Sequence, residues 1–352
     1  MRTGFFLAVL ATAAAASAPA QQPGKLPFPA WRVSADKGTV GSAAAELTRQ
    51  TGVPIAVPAD AAGRTCAGVK EAPFWDALDR LAASADLRVS LRDAGRAVEL
   101  LPKGASREVV STAGPFRVVA KQVTGRALLA EGMTVYDVQL DLQWERRYHV
   151  FRVDSNPQIT HVADDRGVLL QPQTAGAKTQ PTGAVHAASV KLGGIAREAK
   201  RVGVLKGSFA VTASEKLLDF RFDVAAKKAA PVVKEGVSAA LIDWSRDGSV
   251  WAAEVELTYP PTLPEFESFE ASSFTSANEV RLVAPGPSGK RFAPESQAVG
   301  VVGRRVSATY YFKADGVTGP AAVGPGWALA VDAAATPVEF RVPFELRDIV
   351  LP

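Results

Sequence analysis

The chain has 352 residues, 47% of them hydrophobic and 22% charged. That is globular material, enough for two or three domains, and it excludes a disordered or collagen-like polymer. The formal net charge of +4 is slight for this length and gives no electrostatic reason to bind nucleic acid. Cys66 is the single cysteine, so no disulfide forms within the chain and hydrophobic cores must hold the fold, with Cys66 expected as a small buried residue.

Residues 1–20 read as an export signal. Arg2 supplies a positive start, Phe5 to Ala16 a short apolar run, and Ala18 and Ala20 a small-x-small cleavage site. The run is too short for a stable membrane anchor. The mature chain is expected to begin near Gln21 and to be periplasmic or secreted. No later stretch reads as a membrane helix; Ala321 to Ala335 is interrupted by Gly324, Pro325 and Gly326 and broken by Asp332.

Residues 31–101 carry clear punctuation. Thr39 or Ser42 caps a helix that Gly52 stops, with Pro54 close behind. Pro54 to Val57 reads as a strand, and Pro73 opens a second helix with Phe74, Leu78, Leu81 and Ala82 on one side. Leu87, Val89 and Leu91 alternate with polar residues, turn at Asp93 to Arg96, and return through Val98 and Leu100. This order predicts a small α+β domain with helices on one sheet face.

Thr51-Gly52, Ala77-Leu78-Asp79-Arg80-Leu81 and the Leu87–Leu101 hairpin together resemble the short N-terminal domain of secretins and TonB-dependent receptors. The resemblance covers about a fifth of the chain. It implies a periplasmic interaction or signalling module and an envelope protein as partner through residues 31–101. The chain departs from both families afterwards, since neither further small α+β domains nor a plug and a long barrel follow.

From Gly114 helical periodicity fades. Val138, Leu140 and Leu142 alternate strictly, and Tyr148 to Val153, Val190 to Gly193, Arg201 to Leu205, Ser208 to Val211 and Leu217 to Phe222 supply further strands. Residues 114–225 are therefore expected as a β-sandwich domain. Ala226 to Pro231 reads as a connector. Ala239 to Ile242, Trp251 to Tyr259, Glu279 to Val283, Val306 to Phe312 and Val338 to Leu346 make residues 231–352 a second sandwich domain. The predicted fold class is thus multidomain, a small α+β N-terminal domain followed by two mostly antiparallel β-sandwich domains, and the latter pair resembles bacterial envelope β-sandwich proteins.

The residues that carry chemistry are sparse. His149 and His161, with Asp164, are the nearest approach to a metal site, but without close ligand spacing. Asp164-Asp165-Arg166-Gly167 reads as a turn, because the spacing of a calcium-binding EF-hand is missing. Glu265, Glu267 and Glu270 offer paired carboxylates, more simply a solvated edge, and no serine sits in a nucleophile elbow. Lys191, Arg197, Lys200, Arg201 and Lys206 form the densest basic region, a surface for an anionic polymer or membrane headgroups. Exposure of Trp144, Trp244 or Trp251 would mark a sugar-binding face.

This reading assigns no catalytic, metal or cofactor residue. It expects a non-enzymatic extracytoplasmic envelope protein acting as an interaction or scaffolding module. A carbohydrate or peptidoglycan binder is the alternative, and a metal-dependent extracytoplasmic hydrolase a more distant one.

Overall fold

A computed structural model describes residues 26–130, 133–173, 176–195, 198–262, 278–286, 289–317 and 319–352. The expected export signal lies outside them, as do Arg197, Glu265, Glu267 and Glu270. The described chain is mostly β, folded into several antiparallel sheets, with three α-helices. None of these helices is long and apolar enough to cross a membrane.

Near the N-terminus, Thr39 and Ser42 both cap the helix Val40–Thr51. Ser42 N donates to Thr39 Oγ1 at 3.2 Å and Thr39 N to Ser42 Oγ at 3.1 Å, a reciprocal capping box. Gly52 ends the helix at φ 69°, its N–H donating to Thr48 O at 2.8 Å. Thr39→Ala removes the acceptor of the first orphan N–H groups and should lower stability by about 1 kcal/mol, read as a shift in the urea midpoint. A short helix, Ala59–Ala62, precedes the helix expected to open at Pro73, which is Phe74–Ser84, with Pro73 one position outside it rather than its first residue. It buries Phe74, Leu78, Leu81 and Ala82 as the spacing predicts, and Trp75 and Ala77 in addition. The hairpin Leu87–Arg92 and Ala97–Pro102 takes Ile55–Ala56 as a parallel third strand. Leu47, Leu78, Val98 and Leu100 meet in one core, which also encloses Cys66.

Two sheets then face each other across a second core. One runs in the order Gln171–Gln173, Val185–Gly193, Met133–Trp144, Phe116–Leu128, Val109–Ala113. The other is built on Arg201–Ser214. His149–Asp154 and Gln158–Asp164 lie end to end along one edge of that strand, and Val338–Val350 along the other. Phe116, Leu140 and Leu142 interleave with Phe209, Val211, Phe340, Val342 and Leu346. A second sandwich packs the sheet Leu217–Asp223, Ala328–Ala334, Glu279–Val283, Arg291–Phe292 against Val232–Lys234, Val237–Asp247, Val250–Thr258, Arg305–Lys313, Ser296–Val302. Phe220, Phe222, Leu241, Val255 and Phe312 fill its core.

The strands do not respect the boundaries 114–225 and 231–352. Leu217–Asp223, expected in the first sandwich, pairs with Ala328–Ala334 in the second. Val338–Val350, expected in the second, pairs with Arg201–Ser214 in the first, from Ala213↔Val338 to Arg201↔Val350. The two pairings form one continuous two-stranded ribbon, its break closed by Ala335 N donating to Lys216 O at 3.2 Å. Residues 217–334 are therefore strung between two adjacent strands of the first sandwich. The alternation of Phe340, Val342, Phe344 and Leu346 announces a strand with one buried face; it carries no information about which sheet that face covers.

Candidate functional site

The residues singled out in the sequence are scattered by this topology. His149 lies opposite Ser214 and His161 opposite Lys206, so their backbone positions are separated by eight residues of one strand, about 26 Å. They do not share a metal site, and no group of three potential metal ligands gathers among the described residues. Asp164 is buried and committed to its turn. Its Oδ1 accepts Arg166 N at 2.9 Å and Val168 N at 2.8 Å. Burial acts to raise the Asp164 carboxyl, but these two N–H groups and the Arg166 guanidinium outweigh it and hold the carboxyl low. The turn expected at Asp164 to Gly167 is present.

The basic region is matched by acids from the crossing strand. Lys206 Nζ lies 3.0 Å from Glu345 and Arg201 3.7 Å from Asp348, while Lys191 and Lys200 are exposed. The hydrogen bond from Lys206 holds the Glu345 carboxyl below its ordinary range despite some burial, with Arg347 adding to the effect. The tryptophans offer no open platform. Trp144 and Trp244 are buried. Trp251 is half-buried, stacked on Trp244 at 5.5 Å and covered by the Arg246 guanidinium at 5.0 Å.

Sequence reasoning missed the most heavily built polar cluster, at the seam between residues 28–102 and the first sandwich. Glu145, 1% exposed, accepts Trp31 N at 2.9 Å on Oε1 and 3.0 Å on Oε2, and Arg147 Nε at 3.0 Å. Arg147 lies over the rings of Trp31 and Tyr148 at 4.9 and 4.6 Å. Arg147 and the Tyr148 hydroxyl both donate to Pro29 O at 2.5 Å, and Phe28 stacks on Tyr148 at 4.8 Å. Burial pushes the Glu145 carboxyl up to about 7, against the Trp31 N–H and Arg147, which favour the ionised form.

Beside it, Arg117 is 2% exposed. It donates to Asp79 at 2.9 Å and to Gln143 at 2.9 Å, and lies over Trp75, whose indole N–H donates to Pro115 O at 2.9 Å. The hairpin turn docks too, with Ala184 N donating to Ala94 O at 2.8 Å. Gly95 sits against Ala184 so closely that a Cβ there would come within 2.8 Å of the alanine methyl. Glu145 and Arg147 fall in a charged loop between strands, where solvation is the ordinary outcome. The flanking Trp144 and Tyr148 were the one sign of burial.

A second polar cluster lies where the sandwiches meet. Arg281 is shared by Glu279, at 2.8 Å, and Asp332. The half-buried His149 stands near both carboxylates. Burial lowers its pKa, and Glu279 and Asp332 oppose that shift. No known protein family, curated protein or solved structure matches the chain.

Proposed function

We propose that this is an exported, non-enzymatic envelope protein. In this reading residues 31–101 form an α+β interaction domain, and the twin sandwiches are the body that carries it. The leader-like residues 1–20 support export, and the motifs around Thr51-Gly52 and Ala77–Leu81 support the interaction role. The single observation that carries the reading is the seam. Phe28, Trp31, Asp79, Arg117, Glu145 and Arg147 tie the N-terminal layer to the first sandwich through buried charge and stacked rings. A small unit mounted in this way presents its outer surface in a fixed orientation, which keeps the entropy cost of partner binding low.

Affinity capture from native envelope with the full chain tests this. Wild type is compared with a variant carrying Ala45→Arg, Lys70→Glu and Arg92→Glu, three exposed positions of residues 31–101. A defined envelope protein retained by wild type and lost by the variant is the expected result. A partner that both retain places the interaction on the sandwiches and overturns the reading.

A further inference from the structure

Exposed leucines gather at one end of the first sandwich. The ribbon of Phe116–Leu128 and Met133–Trp144 outruns both of its neighbours there. Val109–Ala113 stops opposite Ala120, and the pairing with Val185–Gly193 stops at Tyr136. The last three pairs of the ribbon are Arg126 with Val135, Ala127 with Thr134 and Leu128 with Met133; at the rise of a strand they project about 10 Å past the sheet. Leu128 is 36% exposed and Leu129, which follows it, 90%. Glu131 and Gly132 lie outside the described residues. A second tip stands at the same end, three strands across the sheet and so about 14 Å away. There Val168 and Leu169, 49% and 69% exposed, come just before Gln171, which pairs with Gly193.

Both other units attach at the opposite end. Trp31 N meets Glu145 and Ala94 O meets Ala184 N beside the Phe116–Trp144 pair, and the second sandwich hangs from the Ala213–Val338 end of the crossing ribbon. The tips share the end of Arg201 and Pro352: Asp165 N donates to Arg201 O at 3.2 Å, and Pro352 lies beside Gly125.

The charges around the tips are sorted by sign. Arg126, Lys191 and Lys200 are exposed and form no ion pair among the described residues. The acids near them are engaged: Asp164 in its turn, Asp137 with Ser189, Glu198 with Arg166 at 3.7 Å, Asp348 with Arg201 at 3.7 Å, and Asp165 with Lys200 N at 3.2 Å. Two separated apolar tips rimmed by unpaired cations fit a lipid surface. Leucines gain by leaving water for the acyl boundary, and the cations meet anionic headgroups. The reach of the ribbon also suits the roughly 5–10 Å to which interfacial apolar groups sink. A protein partner would need two pockets spaced to receive both tips; a bilayer accepts them at any spacing. We propose that this end of the first sandwich docks on an anionic lipid bilayer, with Leu129 and Leu169 entering the interface and Arg126, Lys191 and Lys200 facing headgroup phosphates. The inference does not rest on the interaction role of residues 31–101, which are fastened at the far end and would point away from the membrane.

Vesicle flotation tests this with the chain from Gln21, which keeps every described residue and leaves out the apolar run of the expected export signal. The vesicles are phosphatidylcholine alone, or seven parts of it to three of phosphatidylglycerol. Wild type should float with the anionic vesicles, and less so at high salt. The double variant Leu129→Asp, Leu169→Asp changes two side chains too exposed to support the core. It should melt as wild type does and bind at least about tenfold more weakly. On anionic vesicles the emission of Leu129→Trp, and not that of wild type, should be quenched by lipid brominated in its acyl chains. Wild type that floats with neither vesicle overturns the proposal, as does binding unchanged in the double variant. A wild-type dimer that the double variant loses, without flotation, would assign the tips to a second copy of the chain and overturn it equally.

Discussion

Phe340→Ala should cost about 3–5 kcal/mol, a large share of the stability of a sandwich this size. Phe340 is 2% exposed and joins three distant segments of the chain. Its ring meets Phe28 edge-on at 5.3 Å and Phe116 at 5.6 Å, and its backbone pairs with Val211. Truncation to Alanine leaves a cavity that a sheet paired on this edge cannot collapse to fill. A chain ending at Pro337 should fare worse, since it also loses Val342, Phe344, Leu346 and Ile349, all buried in the same core. Limited proteolysis reads the result. Cleavage should spread through residues 109–214 in both variants, while residues 217–334, whose core contains none of these side chains, stay protected. Equal protection of the two sandwiches in the truncated chain would mean that Val338–Val350 is dispensable to the first.

Glu145 is the second residue with a large expected effect. Glu145→Ala leaves the Trp31 N–H without its acceptor and Arg147 without its carboxylate. The expected loss is about 2–3 kcal/mol, moderated because Arg147 keeps 30% of its side chain in solvent. The same residue sets a pH dependence. Burial raises its folded-state pKa from the ordinary 4.5 of a glutamate to about 7. Below about 4.5 the carboxyl is protonated in both states. Between 4.5 and 7 the unfolded chain releases a proton that the folded chain retains, so the Glu145 contribution to stability falls as pH rises, and levels off above 7. Glu145→Gln removes the titration. The stability difference between wild type and Glu145→Gln, from urea midpoints at pH 4.5, 5.5, 6.5 and 7.5, should therefore shift against wild type with rising pH. A difference that stays constant with pH would show that Glu145 does not titrate in this window.

The seam also governs how function can be tested. Deleting residues 31–101 would strip Arg117 of Asp79 and Glu145 of Trp31, leaving buried charge without its partners in the first sandwich. A partner lost on such a deletion would not distinguish a missing interface from a damaged body. Substitutions at exposed positions separate the two.

Local structure was legible in the sequence wherever it is set by neighbours in the chain. Gly52 ended its helix, Phe74, Leu78 and Leu81 faced the core together, and Glu279–Val283 formed a strand at the expected residues. Strand pairing was not legible. Leu217–Asp223 and Val338–Val350 each alternate as a half-buried strand should, and alternation is the same whichever sheet receives it. The charge pairing followed the same rule. The basic residues Arg201 and Lys206 met Glu345 and Asp348 only because the crossing strand brought those acids back across more than a hundred residues. Buried seam charges were hidden for a related reason: Glu145 and Arg147 sit in a loop that would be solvated in isolation, and the N-terminal segment that covers them is remote in sequence.

Position-resolved photo-crosslinking in intact cells tests the central claim most directly. A photoreactive residue is placed singly at Ala45, Lys70 and Arg92, and at Arg221 and Lys234 on the second sandwich, all exposed in the folded chain. The account requires a discrete crosslinked species of one size from positions within residues 31–101, and none of that size from Arg221 or Lys234. The same species arising from Arg221 or Lys234 alone would contradict it.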